Sequence, residues 1–556
     1  MHPRSPYATA PPDFAALAEA YPQKLARFVK RGERHGASID FQDADATRAL
    51  SETLLLHDFG VTAIQRDDRL CPPIPNRANY VLWLQDVLNE SVQPLQPGDT
   101  AASPLLALST ESAAAGSADA NDEDANVERP SKRARVAEEV ESTRETAAGQ
   151  EEGESVRILD VGTGASAIYA LLGCALDARW RFTCTDIDAE SIEHARSILH
   201  HPANKALRLA SRVELQLRRP EQPLLPVGPD AAHVATMCNP PFYSSAAEMQ
   251  ESADFKQQGP SAVCRGTDGE MITQGGEEAF VGRMIDESCE AGRAENVVWF
   301  TSMLGKFSSV GAVVNKLRKQ EIRNYALTEF VQGRTRRWAV AWSHQAYRLP
   351  DHLARPSAPS LARVLAESNS RSRVLPAAEE HTPRTVMAAL QADLAQMGHV
   401  LQIDAASQDD DAASTLFARL DSEAWTRGAR RARAKALKEG RSLDAPSASA
   451  EPLLCLRCSA QWAQARREPK SAAEASATQD ADDEAEKQAP AQEAQPAGGD
   501  TDMRSDPAQP QEGGAPTPRP VRVVVEWTFG CEKQRAAFAA CAESLLRRLE
   551  EGRKQA

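Results

Sequence analysis

Val156-Arg157-Ile158-Leu159-Asp160-Val161-Gly162-Thr163-Gly164-Ala165-Ser166 runs from an apolar strand into a glycine turn, and the apolar Ile168-Tyr169-Ala170-Leu171-Leu172 opens a helix behind it. Gly162 and Gly164 permit tight turning and close approach of the backbone to a nucleotide. Ser166 stands where it can hydrogen-bond at the helix N-terminus. The last glycine of a dinucleotide fingerprint is missing, because Ser166 does not continue G-x-G-x-x-G. A second strand, Arg181-Phe182-Thr183-Cys184-Thr185-Asp186-Ile187-Asp188, ends in an acid about 20 residues further on, where doubly wound folds place the acceptor for ribose hydroxyls. Alternating strands and helices over 155–348 predict a mostly parallel, doubly wound sheet.

The second organising stretch is Thr236-Met237-Cys238-Asn239-Pro240-Pro241-Phe242-Tyr243, which follows the apolar His233-Val234-Ala235. Two consecutive prolines stop both helix and sheet, since each lacks an N–H and fixes φ. A stiff turn at a strand tip results, with Asn239 at its start and an aromatic pair just after it. It can hold an amide oxygen, a free carbonyl and a ring in fixed positions, which is what gripping a planar nitrogen nucleophile requires. The missing third glycine argues against a pyrophosphate cofactor and suits S-adenosylmethionine, which carries no phosphate.

Asp160-Val161-Gly162-Thr163-Gly164 together with Asn239-Pro240-Pro241-Phe242 resembles a class I methyltransferase that modifies adenine N6. More narrowly, the chain resembles the methyltransferase-like 16 family of RNA adenine-N6 methyltransferases and its bacterial large-subunit rRNA relatives. The likeness includes Pro11-Pro12-Asp13-Phe14, His57-Asp58-Phe59-Gly60, Ile74-Pro75-Asn76-Arg77-Ala78-Asn79-Tyr80, Met303-Leu304-Gly305-Lys306 and Gln332-Gly333-Arg334-Thr335-Arg336-Arg337-Trp338, and it runs over 1–90 and 155–348. It implies an α/β fold: a Rossmann-like class I methyltransferase sheet with an N-terminal helical RNA-binding module and a small α+β C-terminal domain. The implied cofactor is S-adenosyl-L-methionine. The implied reaction is methyl transfer to adenine N6 in structured RNA of snRNA or rRNA type, with U6 small nuclear RNA the expected substrate. Asn239, Pro240, Pro241 and Phe242 are then catalytic, and Arg77, Gly162, Ser166, Asp186 and Asn239 hold the cofactor. Lys306, Arg334 and Arg337 are assigned to RNA. Two rivals stay open: a glutamine N5-methyltransferase acting on release factors, whose strand-tip motif is similar, and a non-catalytic RNA-binding regulator.

Around this core the chain divides as follows. Residues 1–90 read as a helical module, with one helix from Asp13 to about Glu33 carrying Lys24, Arg27, Lys30, Arg31 and Arg34 as a basic face. Residues 91–154 lose apolar periodicity and read as a disordered acidic insertion. Within it, Arg129-Pro130-Ser131-Lys132-Arg133-Ala134-Arg135-Val136 is a candidate nuclear import signal, with a cytoplasmic location as the alternative. After the catalytic span, 349–380 reads as a linker. Residues 381–556 read as an α+β RNA-binding-like domain, interrupted at 466–519 and including basic Arg427 to Lys438. Arg334, Arg336 and Arg337 are expected in one basic turn of a closing hairpin.

The formal charge of -15 over 556 residues says little about the working surface, because many acids lie in the low-complexity tracts. Ten scattered cysteines suggest buried thiols in a reducing compartment rather than a disulfide framework. Cys455-Leu456-Arg457-Cys458 has metal-ligand spacing but lacks a second pair, so two thiols on one strand face are expected and no metal. No apolar run is long enough to span a membrane.

Overall fold

The N-terminal segment does not form one long helix. Phe14–Ala20 is helical and is capped by Asp13, whose carboxylate accepts the N–H groups of Ala15 and Ala16 at 3.1 Å each. The helix stops at Tyr21, because the residue before a proline is driven out of helical backbone. Short turns over Pro22–Leu25 and Ala26–Phe28 lead into strand β1 (Val29–Gly32), which pairs antiparallel with β2 (Gly36–Ile39). The expected helix from Asp13 to Glu33 is therefore corrected. Lys30 and Arg31 sit on a strand, since Pro22 breaks the helical ladder and β-branched Val29 favours extended backbone. A longer helix, Ile74–Val92, starts where the Pro73 carbonyl accepts the N–H groups of Asn76 and Arg77 at 3.1 and 3.2 Å. Leu54, Leu84 and Val87 pack in one core with Ile158, Tyr169 and Leu171, so this segment shares its interior with the sheet that follows.

This computed structural model describes residues 1–32, 36–92, 155–226, 233–250, 267–290, 296–333, 335–378, 381–397, 400–406, 413–420, 422–439, 453–463 and 519–551. The acidic insertion beyond residue 92, the basic cluster at 129–136, Arg34, Arg334 and the second insert at 466–518 lie outside the described residues.

Seven strands form the central sheet: β3 (Val156–Val161), β4 (Trp180–Asp186), β5 (Val213–Leu217), β6 (His233–Cys238), β7 (Val297–Leu304), β8 (Tyr325–Gln332) and β9 (Thr335–Trp342). Their order is β5-β4-β3-β6-β7-β9-β8. Strands β3 to β7 run parallel, and β9 is antiparallel to both neighbours. Neighbouring Ile158 and Leu159 enter different cores, because successive side chains leave opposite faces of a strand. Helix Ile168–Leu176 covers one face, and helices Gly276–Ser288 and Phe307–Lys319 cover the other. Strand order reverses between β3 and β6, and Val161 pairs with both Thr185 and Cys238. That register sets Gly162, Asp186 and Asn239 side by side at one end of the sheet, the usual ligand crevice of such folds. In the closing hairpin, Gln332 pairs with Thr335 across Gly333 and Arg334. Arg336 and Arg337 thus belong to β9 and not to a basic turn, a correction forced by how short the connection is.

A second sheet is built from β10 (Ser370–Leu375), β11 (Val400–Ala406), β12 (Ala413–Leu420), β13 (Leu454–Trp462) and β14 (Val521–Phe529), ordered β10-β14-β13-β12-β11 and antiparallel throughout. It has its own core, with Leu390 and Leu394 from helix Pro383–Met397 and Phe538 from helix Arg535–Glu551 beside Trp527. The linker expected at 349–380 is corrected: β10 lies inside it and pairs with β14 from Ser370↔Glu526 to Leu375↔Val521. Its sequence Ser-Arg-Ser-Arg-Val-Leu is mostly polar because it forms a sheet edge, so no apolar run marked it. Cys455 and Cys458 do not share a strand face either, since a spacing of three sends them to opposite sides of β13. Arg348 ties this sheet to the first, its Nε donating to the Gly530 carbonyl at 2.9 Å and its guanidinium 4.5 Å from the Trp527 ring. Among the described residues, no group of His, Cys, Asp and Glu is placed to hold a metal, and no helix is long and apolar enough to cross a membrane.

Candidate active site at the strand tips

Gly162 and Gly164 have φ of 71° and 65°, the left-handed region that glycine enters without strain. The Thr185 carbonyl accepts the N–H groups of Gly162 and Thr163 at 2.9 and 3.0 Å, and Asp186 Oδ2 accepts that of Gly164 at 2.8 Å. The turn is thereby drawn onto the tip of β4. Asp186 Oδ1 accepts the Asp188 N–H at 3.0 Å, and burial pushes the Asp186 carboxyl up. Asp160, wholly buried below the turn, accepts the Thr163 hydroxyl at 2.7 Å. Desolvation, with the nearby Asp186 charge adding to it, pushes Asp160 up to about 7. Ser166 is not the helix cap, which corrects that expectation. The cap position is held by Ala167 at φ 47°, so the helix begins one residue later.

A cavity of about 490 Å³ opens above these tips, and Arg77, Gly162, Ser166, Asp186 and Asn239 all line it. Arg77 comes from the first turn of helix Ile74–Val92 and is only 5% exposed. Its Nη1 donates to Asn239 Oδ1 at 3.1 Å and to the Tyr169 hydroxyl at 3.2 Å. Among the described residues no carboxylate stands within ion-pair distance of it. A buried guanidinium in that position is unfavourable unless an anion meets it. Tyr80, three residues on, is a brace: fully buried, its hydroxyl meets Thr301 Oγ1 at 2.6 Å and accepts the Cys238 N–H at 3.4 Å.

The Asn239–Phe242 loop divides the site. Pro241 lines the cavity, Pro240 is buried, and Phe242 turns to the opposite side. The Phe242 ring lies on Gly305, where a Cβ would come within 2.6 Å of it, so any larger residue would push the ring aside. The Arg337 guanidinium sits 5.9 Å from the same ring. Lys306, half-exposed, pairs with Glu248 and lies 5.3 Å from the Tyr243 ring. That hydrogen bond from Lys306, with two from Ser244, holds the Glu248 carboxyl down at about 2. Arg336 is ion-paired with Glu329 at 3.1 Å.

Three contributors escaped sequence reasoning. Glu277, 1% exposed, accepts the N–H groups of Gly305 and Lys306 at 2.6 and 2.8 Å and so holds the loop on which Phe242 rests. Glu270 lines the cavity and accepts N–H groups from Leu70 at 3.2 Å and Thr267 at 2.9 Å, joining two covering segments. Ile187 also lines the cavity and is 54% exposed, an apolar surface suited to a planar ring. An exposed isoleucine directly after the strand-end acid was the signal available for the last; the two glutamates had none.

The sheet order, the glycine turn at the switch point and the Asn-Pro-Pro-Phe loop beside it define a class I methyltransferase fold. A family model described as RNA methyltransferase matches residues 1–102 and 135–346, and the chain belongs to that family. The U6 small nuclear RNA (adenine-(43)-N(6))-methyltransferase of Schizosaccharomyces pombe is 33% identical over 337 residues, covering 60% of this chain and 69% of that protein. The human RNA N(6)-adenosine-methyltransferase METTL16 is 30% identical over 367 residues, 66% of this chain; the match spans 53% of the human protein. A ribosomal RNA large subunit methyltransferase F from Pseudomonas entomophila is 31% identical over 355 residues, 62% of this chain and 92% of that protein.

Proposed function

We propose that this protein transfers a methyl group from S-adenosyl-L-methionine to adenine N6 in a structured RNA, with U6 small nuclear RNA as the substrate and the nucleus as its place of action. The observation that carries the reading is the union, at one switch point, of a cavity ending in a buried arginine with no carboxylate at ion-pair distance among the described residues and an Asn-Pro-Pro-Phe loop. The names of the relatives support the substrate class.

The cavity fits the cofactor on its own terms. Arg77 would take the methionine carboxylate by a charge-assisted bond, Asp186 would accept from the ribose, and Ile187 would pack on the adenine ring. When bound, the cofactor supplies an electrophilic methyl group. Every other task falls to the chain. Arg77 occupies one lone pair of Asn239 Oδ1 and so fixes the carboxamide, leaving the second lone pair to accept one N6 hydrogen. The Pro240 carbonyl accepts the other. Together they orient the amine and oppose withdrawal of its lone pair into the ring. Positioning of this kind contributes about 7–11 kcal/mol at best, and once N6 carries the methyl it is acidic enough to release its proton to water, so no strong base is needed. Phe242, backed by Gly305, stacks on an adenine that has left its helix, and an unpaired adenosine is favoured because unstacking costs a few kcal/mol.

The test is incubation of the protein with labelled cofactor and either a structured RNA bearing an unpaired adenosine or a translation release factor, followed by nucleoside and peptide analysis. N6-methyladenosine in the RNA is expected. Label in a glutamine side chain instead would overturn the reading.

A further inference from the structure

A second cleft, of about 520 Å³, opens at the other end of β4 and β5 from the cofactor cavity. Arg157, Arg181, Arg196 and Arg212 line it with His200, against a single carboxylate, Glu214. Arg181 precedes Asp186 by five residues on β4, which at about 3.3 Å per residue separates cleft and cofactor cavity by roughly 17 Å. Arg157 and Arg181 are register partners on adjacent parallel strands. Neighbouring strands lie about 4.8 Å apart, and like charges placed directly opposite one another destabilise a sheet.

Among the described residues neither arginine has a carboxylate within ion-pair distance, and Arg181 reaches only the Ser211 carbonyl, at 3.2 Å. Arg196 pairs with Glu193 on its own helix at 3.3 Å, outside the cleft. Arg212 is held in place by backbone carbonyls, donating to Trp180 at 3.1 Å and Cys174 at 2.9 Å. His200 meets the Arg196 carbonyl through Nδ1 at 3.0 Å. Exposed Lys205 and Arg208 continue the charge along the next turn. Asn204, just before Lys205, accepts the Thr62 N–H at 2.8 Å, so the basic strip borders the N-terminal segment. In a chain of formal charge -15, so many cations in one cleft create a local field opposite to that of the whole molecule.

We propose that this cleft is a phosphate subsite that takes the phosphodiester backbone of the substrate RNA beyond the target loop. It rests on the RNA reading of the catalytic site. The guanidinium groups come from several elements: Arg157 from β3, Arg181 from β4, Arg196 from the helix Ala189–Leu199 and Arg212 from the turn before β5. Four cations on separate elements suit successive phosphates of a strand better than a single free anion. Backbone contacts of this type set register and carry no sequence information.

The test uses the full chain and an Arg157→Gln/Arg181→Gln double variant. Affinity is measured over a series of salt concentrations for a stem-loop RNA and for a short single-stranded fragment carrying only the target adenosine. Cofactor affinity and melting temperature are read alongside, and inorganic phosphate and pyrophosphate are titrated separately. Two lost contacts should lower the stem-loop salt slope by about 1.4–1.8, twice the 0.7–0.9 expected per phosphate. Fragment binding and cofactor affinity should not change, and the melting temperature should hold or rise as the repulsion is removed. An unchanged slope in a variant whose parent binds the stem-loop overturns the subsite. Phosphate or pyrophosphate binding that the variant loses, with the RNA slope intact, would make it a free-anion site and also overturn the proposal. Failure of the parent to bind or methylate any RNA would remove the catalytic reading itself, a different result from either.

Discussion

The two sides of the Asn239–Phe242 loop are built by different means. On the cofactor side, backbone groups and buried side chains bind one another: Thr185 and Asp186 hold the glycine turn, and Arg77 holds Asn239. On the opposite side, Phe242, Lys306 and Arg337 are half-exposed and are held by ring contacts and an ion pair that solvent reaches. Buried contacts are stiff, because a polar group that moved would lose a partner that no water replaces. Those at the rim exchange with water at little cost. One loop therefore joins a preformed pocket to an adaptable surface, the one the proposed function gives to a flipped base.

The largest effect should come from Asn239→Ala, which removes the acceptor at the junction. Single-turnover methylation should fall by about 10²–10³-fold, the loss typical of one preorganised polar group at a reacting centre. Cofactor affinity, measured by calorimetry, should change only a few-fold. An equal collapse of both would mean that the loop is not divided in this way.

Next, Arg77→Met should weaken cofactor binding about ten- to hundredfold, consistent with roughly 1.5–3 kcal/mol for a hydrogen bond to a charged group. The cofactor-free protein should melt no lower than the parent, since a buried cation with no carboxylate at ion-pair distance among the described residues has gone. A large fall in melting temperature with cofactor affinity intact would make Arg77 a structural prop.

Above about pH 4.5, beyond the range in which the rim carboxylate Glu248 titrates in either state, the pH response should mark the buried side. Folded Asp160 keeps its proton up to about 7, whereas the unfolded chain releases it near its ordinary 3.8. Between those values the unfolded state binds fewer protons, so stability falls as pH rises through the window, and the raised Asp186 carboxyl acts in the same direction. Asp160→Asn should flatten melting temperature against pH from about 4 to 7 and leave the variant relatively more stable at pH 8 than at pH 4. A curve parallel to that of the parent would show that Asp160 ionises normally.

The smallest effect belongs to the rim. Lys306→Ala breaks the pair with Glu248, and exposed pairs are worth at most about 1 kcal/mol, so the melting temperature should barely move. RNA affinity should fall at low salt and recover towards the parent value at high salt. A salt-independent loss would place Lys306 with the stiff side.

Much of this architecture is legible in the amino-acid sequence. The strand, turn and helix over 156–172 and the Asn-Pro-Pro loop can be read because their constraints are local: glycine admits φ of 71° and 65°, and paired prolines end a strand wherever they fall. The same locality misleads at the N-terminus, where apolar spacing suggests a helix through residues that Pro22 and Val29 turn into a strand. It also hides β10, whose polar face gives no periodic signal until β14 pairs with it.

By itself, then, the order of residues determined a doubly wound sheet, its glycine turn and the stiff Asn-Pro-Pro loop, since each depends on neighbours in the chain. Only the tertiary structure decided that Arg77 meets Asn239 from 162 residues away. It also decided that Glu277 supports the Phe242 ring through Gly305, and that Arg157 and Arg181 face each other across β3 and β4. Such meetings follow from strand order and register, which are set by how the whole chain packs its two apolar faces and which no single segment encodes.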